Sequence, residues 1–350
     1  MVVLYILPNH LYDEINNTFI KRHNVSTIKL WEHPDFFTKY NFNKKKLVLH
    51  RASMKYYYTN TLKKLEDVKL KYIKYNEKHE LSENDRYIFF DPINKIKEFI
   101  QSTNHVMLES PNFLLTKEDY KSIAGDEEDN EKRGRIRFTS DFYKFCKKKI
   151  DYLQKTPNQD KFNRKKIKKK NVNIPMIDCK IDKQEKKYIN EAIKYVEKHF
   201  PNNYGTLVDI TDKFIYPISS SKAKDRFDEF VEERMNLFGK YQDAILKDHS
   251  FLFHSILSSS LNIGLIQPND IVKTLRTLKT RDVPIQSTEA FFRQLCWREF
   301  QRYCYIYYPQ FSKDNHLKLD NDIDKKWYNG TLGIDPVDDC IKKAFNNAYL

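Results

Sequence analysis

Apolar and polar positions follow two different rhythms along this chain. Val2–Leu7 is a compact apolar run, and Ser26–Trp31, Lys69–Tyr75 and His105–Glu109 repeat its strand-like character. Between them lie segments with helical character, Lys45–Leu65 and Pro92–Ile100. Strands alternating with helices predict parallel βαβ units and an α/β domain over residues 1–125. Sheets of this kind place ligands beyond the carboxyl ends of their strands, here Leu7–His10, Trp31–His33 and Glu109–Asn112.

After Thr116 the strand signal disappears. Asp126–Glu131 reads as an acidic surface loop, and Ser140–Leu153 as an amphipathic helix with a basic face. Lys161–Lys170 is densely basic and runs to a natural boundary at Asn173, Ile174 and Pro175, so 126–180 is expected to be a basic interdomain linker with a helix. Beyond it Lys183–His199, Ser221–Phe238, Pro268–Lys279 and Thr288–Tyr305 predict an all-α region over 181–350. Pro268 suits a first helical turn and Ser287 an N-cap. There is no internal repeat.

Composition sharpens this picture in three ways. Mean hydropathy is low at −0.74, yet aromatics make up 14% of the 350 residues, which favours a packed protein over a disordered one. The net charge of +14 is concentrated: Tyr143–Lys170 holds 12 Lys/Arg against 2 Asp. Clustered cations of this kind attract phosphate backbones, although a solvated linker explains the charge equally well. The 5 cysteines, Cys146, Cys179, Cys296, Cys304 and Cys340, form no CxxC pair, so a disulfide scaffold is not expected and a reducing compartment is. The first residues read as a strand rather than a signal peptide, and no stretch approaches a membrane span, so a soluble intracellular protein is expected.

No GxGxxG, P-loop, GxSxG or HExxH occurs, and Glu232 and Glu233 read as solvated charge on an exposed helix face. Two segments stand out. FLFHSILSSSLNIG (251–264) sets a serine cluster inside an apolar run. Serines favour caps and turns, so the cluster could present hydroxyls and N–H groups to an anion, although a plain helix-to-helix turn is the simpler reading. FFRQLCWREFQR (291–302) puts Gln294, Trp297 and Arg298 at i, i+3 and i+4, a face that could grip a ring and a phosphate together. A core Trp with Arg298 paired to an acid explains it equally well.

Together these segments resemble the flavin-binding domain of photolyases and cryptochromes. ESPNFLLT (109–116), DFY (141–143), FPNNYG (200–205), FIYPI (214–218), EER (232–234) and FGKYQD (238–243) extend the likeness. They narrow it to the iron–sulfur bacterial cryptochromes and prokaryotic (6-4) photolyases, often labelled photolyase-related proteins. The resemblance runs nearly end to end and is weakest before residue 100. It implies an antenna-type N-terminal domain followed by a helical FAD-binding domain. Tyr241, His254, Ser255, Leu257, Ser258 and Asn262 match the region that clasps FAD around its phosphates and ribose. Gln294 and Arg298 match the helix lining the flavin pocket, and Trp297 the point where flavin and lesion approach. Glu32 matches a contact to the antenna chromophore, typically a ribityl-lumazine, while Pro8, Asn9 and His10 depart from the family, as Ser259 does where proline is common. Cys340 matches the first thiolate ligand of the family's [4Fe–4S] cluster, which needs four.

The family's paired histidines would lie past Leu350, so no catalytic residue is expected within the chain and the FAD domain is expected to be incomplete. A separate C-terminal polypeptide would complete it and the cluster. The implied activity is light-driven repair of UV pyrimidine lesions in DNA, on a base taken out of the stack as photolyases do. Lys165, Lys166, Lys168, Lys169 and Lys170 are the expected DNA-phosphate contacts. A blue-light sensor and a basic nucleic-acid-binding protein without cofactor are the alternatives.

Overall fold

The computed structural model describes residues 1–348 except 83, 95, 102–103, 125–140, 169–171, 178–180, 209, 248, 279–282 and 309–321. The acidic loop expected at Asp126–Glu131 lies outside the described residues, as do Cys179, Lys169 and Lys170.

Strands β1 (Val2–Ile6), β2 (Thr27–Trp31), β3 (Lys69–Ile73), β4 (Arg86–Phe90) and β5 (His105–Leu108) form one parallel sheet in the order β3-β2-β1-β4-β5. Four of them lie where the sequence pattern puts them. The fifth, β4, has no polar alternation to announce it, because a central strand buried on both faces reads as an unbroken apolar run. Alternate residues serve opposite faces. Leu4, Ile6, Ile28, Leu30, Ile88 and Phe90 enter the main core, while Val3, Tyr5, Trp31, Tyr87 and Phe89 pack a second cluster closed by Ile96 and Phe99.

The sheet is flanked by α1 (Asn17–His23), α2 (Pro34–Phe37), α3 (Lys44–Asn60), α4 (Lys97–Gln101) and α5 (Lys117–Ala124). Asn43 caps α3, its Oδ1 accepting the Lys45 N–H at 2.8 Å. The helix expected over Pro92–Ile100 is shorter than its pattern. Ile93 adopts a left-handed backbone with φ 70° while its N–H donates to Asp91 Oδ1, so the chain turns before α4 begins.

The remainder is helical: α6 (Tyr143–Lys149), α7 (Lys183–His199), α8 (Ser220–Glu229), α9 (Met235–Tyr241), α10 (Ser258–Ile263), α11 (Pro268–Leu278), α12 (Ile285–Tyr307), α13 (Lys325–Asn329) and α14 (Asp335–Asn347). α7 has the predicted bounds, with Asp182 at its N-cap accepting the Glu185 N–H at 2.8 Å. The single helix expected over Ser221–Phe238 is instead α8 and α9 joined by a π-turn, Phe230–Arg234, that carries Arg234 into full burial. Ser287 is not an N-cap. Pro284 precedes the first turn of α12, and Ser287 Oγ accepts the Gly239 N–H at 3.0 Å, stitching α9 to α12. A Cβ at Gly239 would lie 2.8 Å from the Gln286 carbonyl, so that crossing requires glycine.

The segment read as a linker packs onto the helices. Tyr143 donates to Glu289 Oε1 at 2.8 Å, Tyr152 stacks edge-on against Phe292, and Ile167, Val172 and Ile174 cover Tyr241, Leu252 and Phe253. One core runs from Leu4 in the sheet to Tyr303 in α12, so the α/β and helical parts share their interior. Among the described residues no helix is long and apolar enough to cross a membrane.

Candidate functional site

A cavity of about 360 Å³ opens between the segment leading into α10 and the face of α12. Ser250, Phe251, His254, Ser255, Ile256 and Leu257 form one wall, Ser258, Ser259 and Leu261 of α10 the floor, and Phe291, Gln294, Leu295 and Arg298 of α12 the opposite wall, with Tyr216 at the edge. Six residues singled out from the sequence thus meet in one place: His254, Ser255, Leu257, Ser258, Gln294 and Arg298. The helical repeat explains which side of α12 faces in. At 3.6 residues per turn, positions 291, 294, 295 and 298 span roughly 100°, and 297 falls about 60° outside that arc. Trp297 accordingly turns away and packs edge-on against Phe300, ring centroids 5.6 Å apart.

The chemistry of the cavity is mixed. Arg298 donates from Nη1 to the Asn112 carbonyl at 3.0 Å and lies over the Phe113 ring. Burial lowers its pKa, and nearby Glu299 opposes the shift. Burial likewise lowers the pKa of His254, which favours the neutral ring. Ser259 is buried on the cavity floor and its Oγ has no protein partner. Leu252 and Ile256 hold left-handed backbones, φ 41° and 57°, and for the β-branched Ile256 this carries roughly 1–3 kcal/mol of strain. Strain, an unpaired hydroxyl and a cation beside phenyl and leucine side chains fit a ligand with a phosphate at one end and an apolar part at the other. Those features fit one end of FAD.

Other expected residues lie elsewhere. Tyr241 stacks on Phe253, and Asn262 is exposed; neither lines the cavity. Glu32 is fully buried in a closed network. Its Oε1 accepts from Arg51 and Tyr72, both at 2.6 Å, and its Oε2 from the Tyr195 hydroxyl at 3.0 Å and the Tyr75 N–H at 3.3 Å. Both oxygens are therefore engaged within the protein, and the surroundings of Glu32 do not fit an antenna contact. Cys340 is exposed on α14, whereas Cys146 and Cys296 are buried between α6 and α12. Among the described residues no group of three or more His, Cys, Asp or Glu side chains is placed to hold a metal ion. Lys165, Lys166 and Lys168 project into solvent.

Sequence reasoning passed over Phe291 and Leu295, although their spacing from Arg298 was readable as one helical face. It also gave Tyr216 no role beyond membership of the FIYPI segment. A groove of about 410 Å³ between α3 and α8 is larger, but among the described residues none of its lining side chains is buried without a partner.

Known proteins resemble part of this chain, and the family match lies before the residues of α10 and α12 that line the cavity. A family model described as deoxyribodipyrimidine photo-lyase-related protein matches residues 4–211, from β1 through α7. A (6-4) photolyase of Agrobacterium fabrum (strain C58) is 30% identical over 166 residues, 47% of this chain and 32% of that protein. A deoxyribodipyrimidine photo-lyase of Buchnera aphidicola subsp. Baizongia pistaciae is 25% identical over 145 residues, 39% of this chain and 29% of that protein. The matches thus span less than a third of either photolyase. An uncharacterised protein of Acanthamoeba polyphaga mimivirus is 38% identical over 107 residues, 30% of this chain and 83% of that protein.

Proposed function

The chain belongs to the deoxyribodipyrimidine photo-lyase-related family, and on that premise we propose that it is a photolyase- or cryptochrome-like flavoprotein acting on UV-damaged DNA, with FAD seated at the cavity between α10 and α12. The observation that carries the reading is the convergence of Arg298, Gln294 and the unpaired Ser259 hydroxyl on one partly apolar cavity. FAD, when bound, supplies the light absorption and electron transfer. The chain's own residues do the holding. Arg298 meets a phosphate, Ser255, Ser258 and Ser259 offer hydroxyls, and Phe251, Leu257 and Leu295 exclude water from the apolar part. About 360 Å³ is near the lower end of ligand-pocket volumes, so a dinucleotide would extend beyond it, against solvent or a second polypeptide.

Purified protein mixed with FAD and passed through a desalting column tests this directly. Retained flavin absorption, lost in Arg298→Ala, is the expected result. Absence of any flavin binding would favour the second reading, a basic nucleic-acid-binding protein, which the exposed Lys165, Lys166 and Lys168 support. Repair assays on (6-4) and cyclobutane lesions under blue light separate an enzyme from a light sensor.

A further inference from the structure

α12 meets the α/β domain through three charged side chains within one helical turn. Arg298 donates to the Asn112 carbonyl at 3.0 Å. Glu299 accepts the Leu114 N–H on Oε1 at 3.0 Å, the Leu115 N–H on Oε2 at 3.1 Å, and the Tyr120 hydroxyl on Oε2 at 2.6 Å. Arg302 donates to Asp91 Oδ2 at 2.8 Å and to the Leu115 carbonyl at 3.3 Å. Three of the four residues from Asn112 to Leu115 are therefore held by one face of the helix that walls the cavity. Asn112 is itself tied to the loop after β1, its Nδ2 donating to the Asn9 carbonyl at 3.2 Å.

Glu299 differs from its two neighbours. It is fully buried, and two of its three donors are main-chain N–H groups, whose directions the backbone fixes. A carboxylate that spans adjacent amides resists rotation of the helix bearing it. Arg298, one residue earlier, lines the cavity while its guanidinium donates to the Asn112 carbonyl, a placement that depends on the rotation of the helix. We propose that Glu299 is a positioning residue for the cavity: by capturing the Leu114 and Leu115 amides it fixes the axial rotation of α12 and so holds Arg298 where a ligand phosphate would meet it. The ligand's identity rests on the flavin reading; the positioning of Arg298 does not.

Glu299→Gln is the discriminating variant, because it keeps the shape and sets an NH2 group against one of the two amides. Glu289→Gln is the control, since Glu289 is buried on the same helix and accepts from Tyr143 at 2.8 Å, away from the cavity. Three quantities are measured in the full chain: FAD affinity, hydrogen exchange of the Leu114 and Leu115 amides, and the Nε–H NMR signal of Arg298, assigned through Arg298→Lys. Glu299→Gln should weaken FAD binding about tenfold, the equivalent of one lost hydrogen bond. It should also speed exchange at both amides and move the Arg298 signal, whereas Glu289→Gln lowers only the melting temperature. Equal effects of the two variants on affinity and on Arg298, or an unmoved Arg298 signal in Glu299→Gln, would overturn the proposal. If the parent protein takes up no FAD, the flavin reading fails, and the Arg298 signal alone decides the positioning role.

Discussion

Arg51 and Glu32 form a buried ion pair, Nη1 to Oε1 at 2.6 Å, and the other arm of Arg51 reaches Glu191 on α7 at 2.6 Å. One guanidinium thereby joins β2, α3 and the first helix of the helical part. Its plane lies over the Tyr195 ring, 3.9 Å from guanidinium carbon to ring centroid. Arg51→Ala would leave Glu32 charged and buried, and should lower the unfolding free energy by about 3–5 kcal/mol. Pairing it with Glu32→Gln should restore part of that loss, since the uncompensated charge is gone. Urea unfolding of the two variants checks both statements, and a single variant within about 0.5 kcal/mol of the parent would show the pair to be dispensable.

Gly264 closes α10 with φ 86°, and a Cβ there would stand 2.5 Å from the Tyr12 ring. The helix end and the loop after β1 approach this closely because the Leu11 N–H donates to the Ile263 carbonyl at 3.1 Å. Gly264→Ala therefore combines backbone strain with a clash at the seam between the two parts. Gly333 has a similar φ of 80° but nothing within 4 Å of a Cβ, so Gly333→Ala isolates the backbone component, about 1 kcal/mol. Thermal melts should place Gly264→Ala well below Gly333→Ala; coincident melts would mean that the seam yields freely.

Acid should loosen the contact between Asp91 and Arg302. Burial alone would raise the Asp91 pKa, but the Ile93 N–H and the Lys117 and Arg302 cations outweigh it and hold the group below its ordinary 3.8. The unfolded chain therefore takes up this proton first as pH falls. The stabilisation is complete well above pH 3.8 and disappears as pH falls through the depressed native value. Asp91→Asn should be less stable than the parent at neutral pH, with the gap closing below about pH 4. A gap independent of pH would show that the carboxylate's charge contributes nothing.

Local signals made most elements legible. The periodicity of Lys183–His199 marked α7 to the residue, and four of five strands announced themselves by their pattern. What stayed hidden depended on partners far away in sequence. Glu299 finds its amides at Leu114 and Leu115, and Arg302 its carboxylate at Asp91, so neither side chain's role was legible in the sequence. The spacing of Gln294 and Arg298 indicated one face, but the sequence alone did not show that the cavity takes the arc from 291 to 298 that leaves Trp297 outside. The packing of the basic segment was not legible because its few apolar residues, Ile167, Val172 and Ile174, are separated by polar residues and carry no helical or strand periodicity.

Those apolar residues also make the lysines testable. The chain is pinned there by the Lys165 N–H donating to the Lys240 carbonyl at 2.9 Å and by Ile167 against the Tyr241 cluster, so Lys165, Lys166 and Lys168 project from a fixed backbone. Binding to duplex DNA should weaken steeply with salt, each phosphate contact adding about 0.9 to the log–log slope. Replacing the three lysines with Gln should flatten the slope by up to about 2.7 without changing the melting temperature. An unaltered slope would show that this stretch does not touch DNA.

Ser259 and Ser260 offer the sharpest separation of binding from stability. Both are buried on α10 and neither hydroxyl has a protein partner, but only Ser259 lines the cavity. An unpaired buried hydroxyl destabilises the protein that carries it, so either serine changed to alanine should leave the ligand-free melting temperature equal or higher. The two variants should then diverge when FAD is added. Ser259→Ala removes a donor that faces the ligand and should weaken binding by about three- to tenfold, the range of one neutral hydrogen bond. Ser260→Ala keeps the cavity surface and should bind as the parent does. Ligand-induced shifts in melting temperature across a range of FAD concentrations measure both effects in one experiment. Loss of stability in both variants would mean that the hydroxyls are satisfied by buried water and belong to the core. Equal affinities in the two would remove Ser259 from the site and leave Arg298 and Gln294 as its polar contacts.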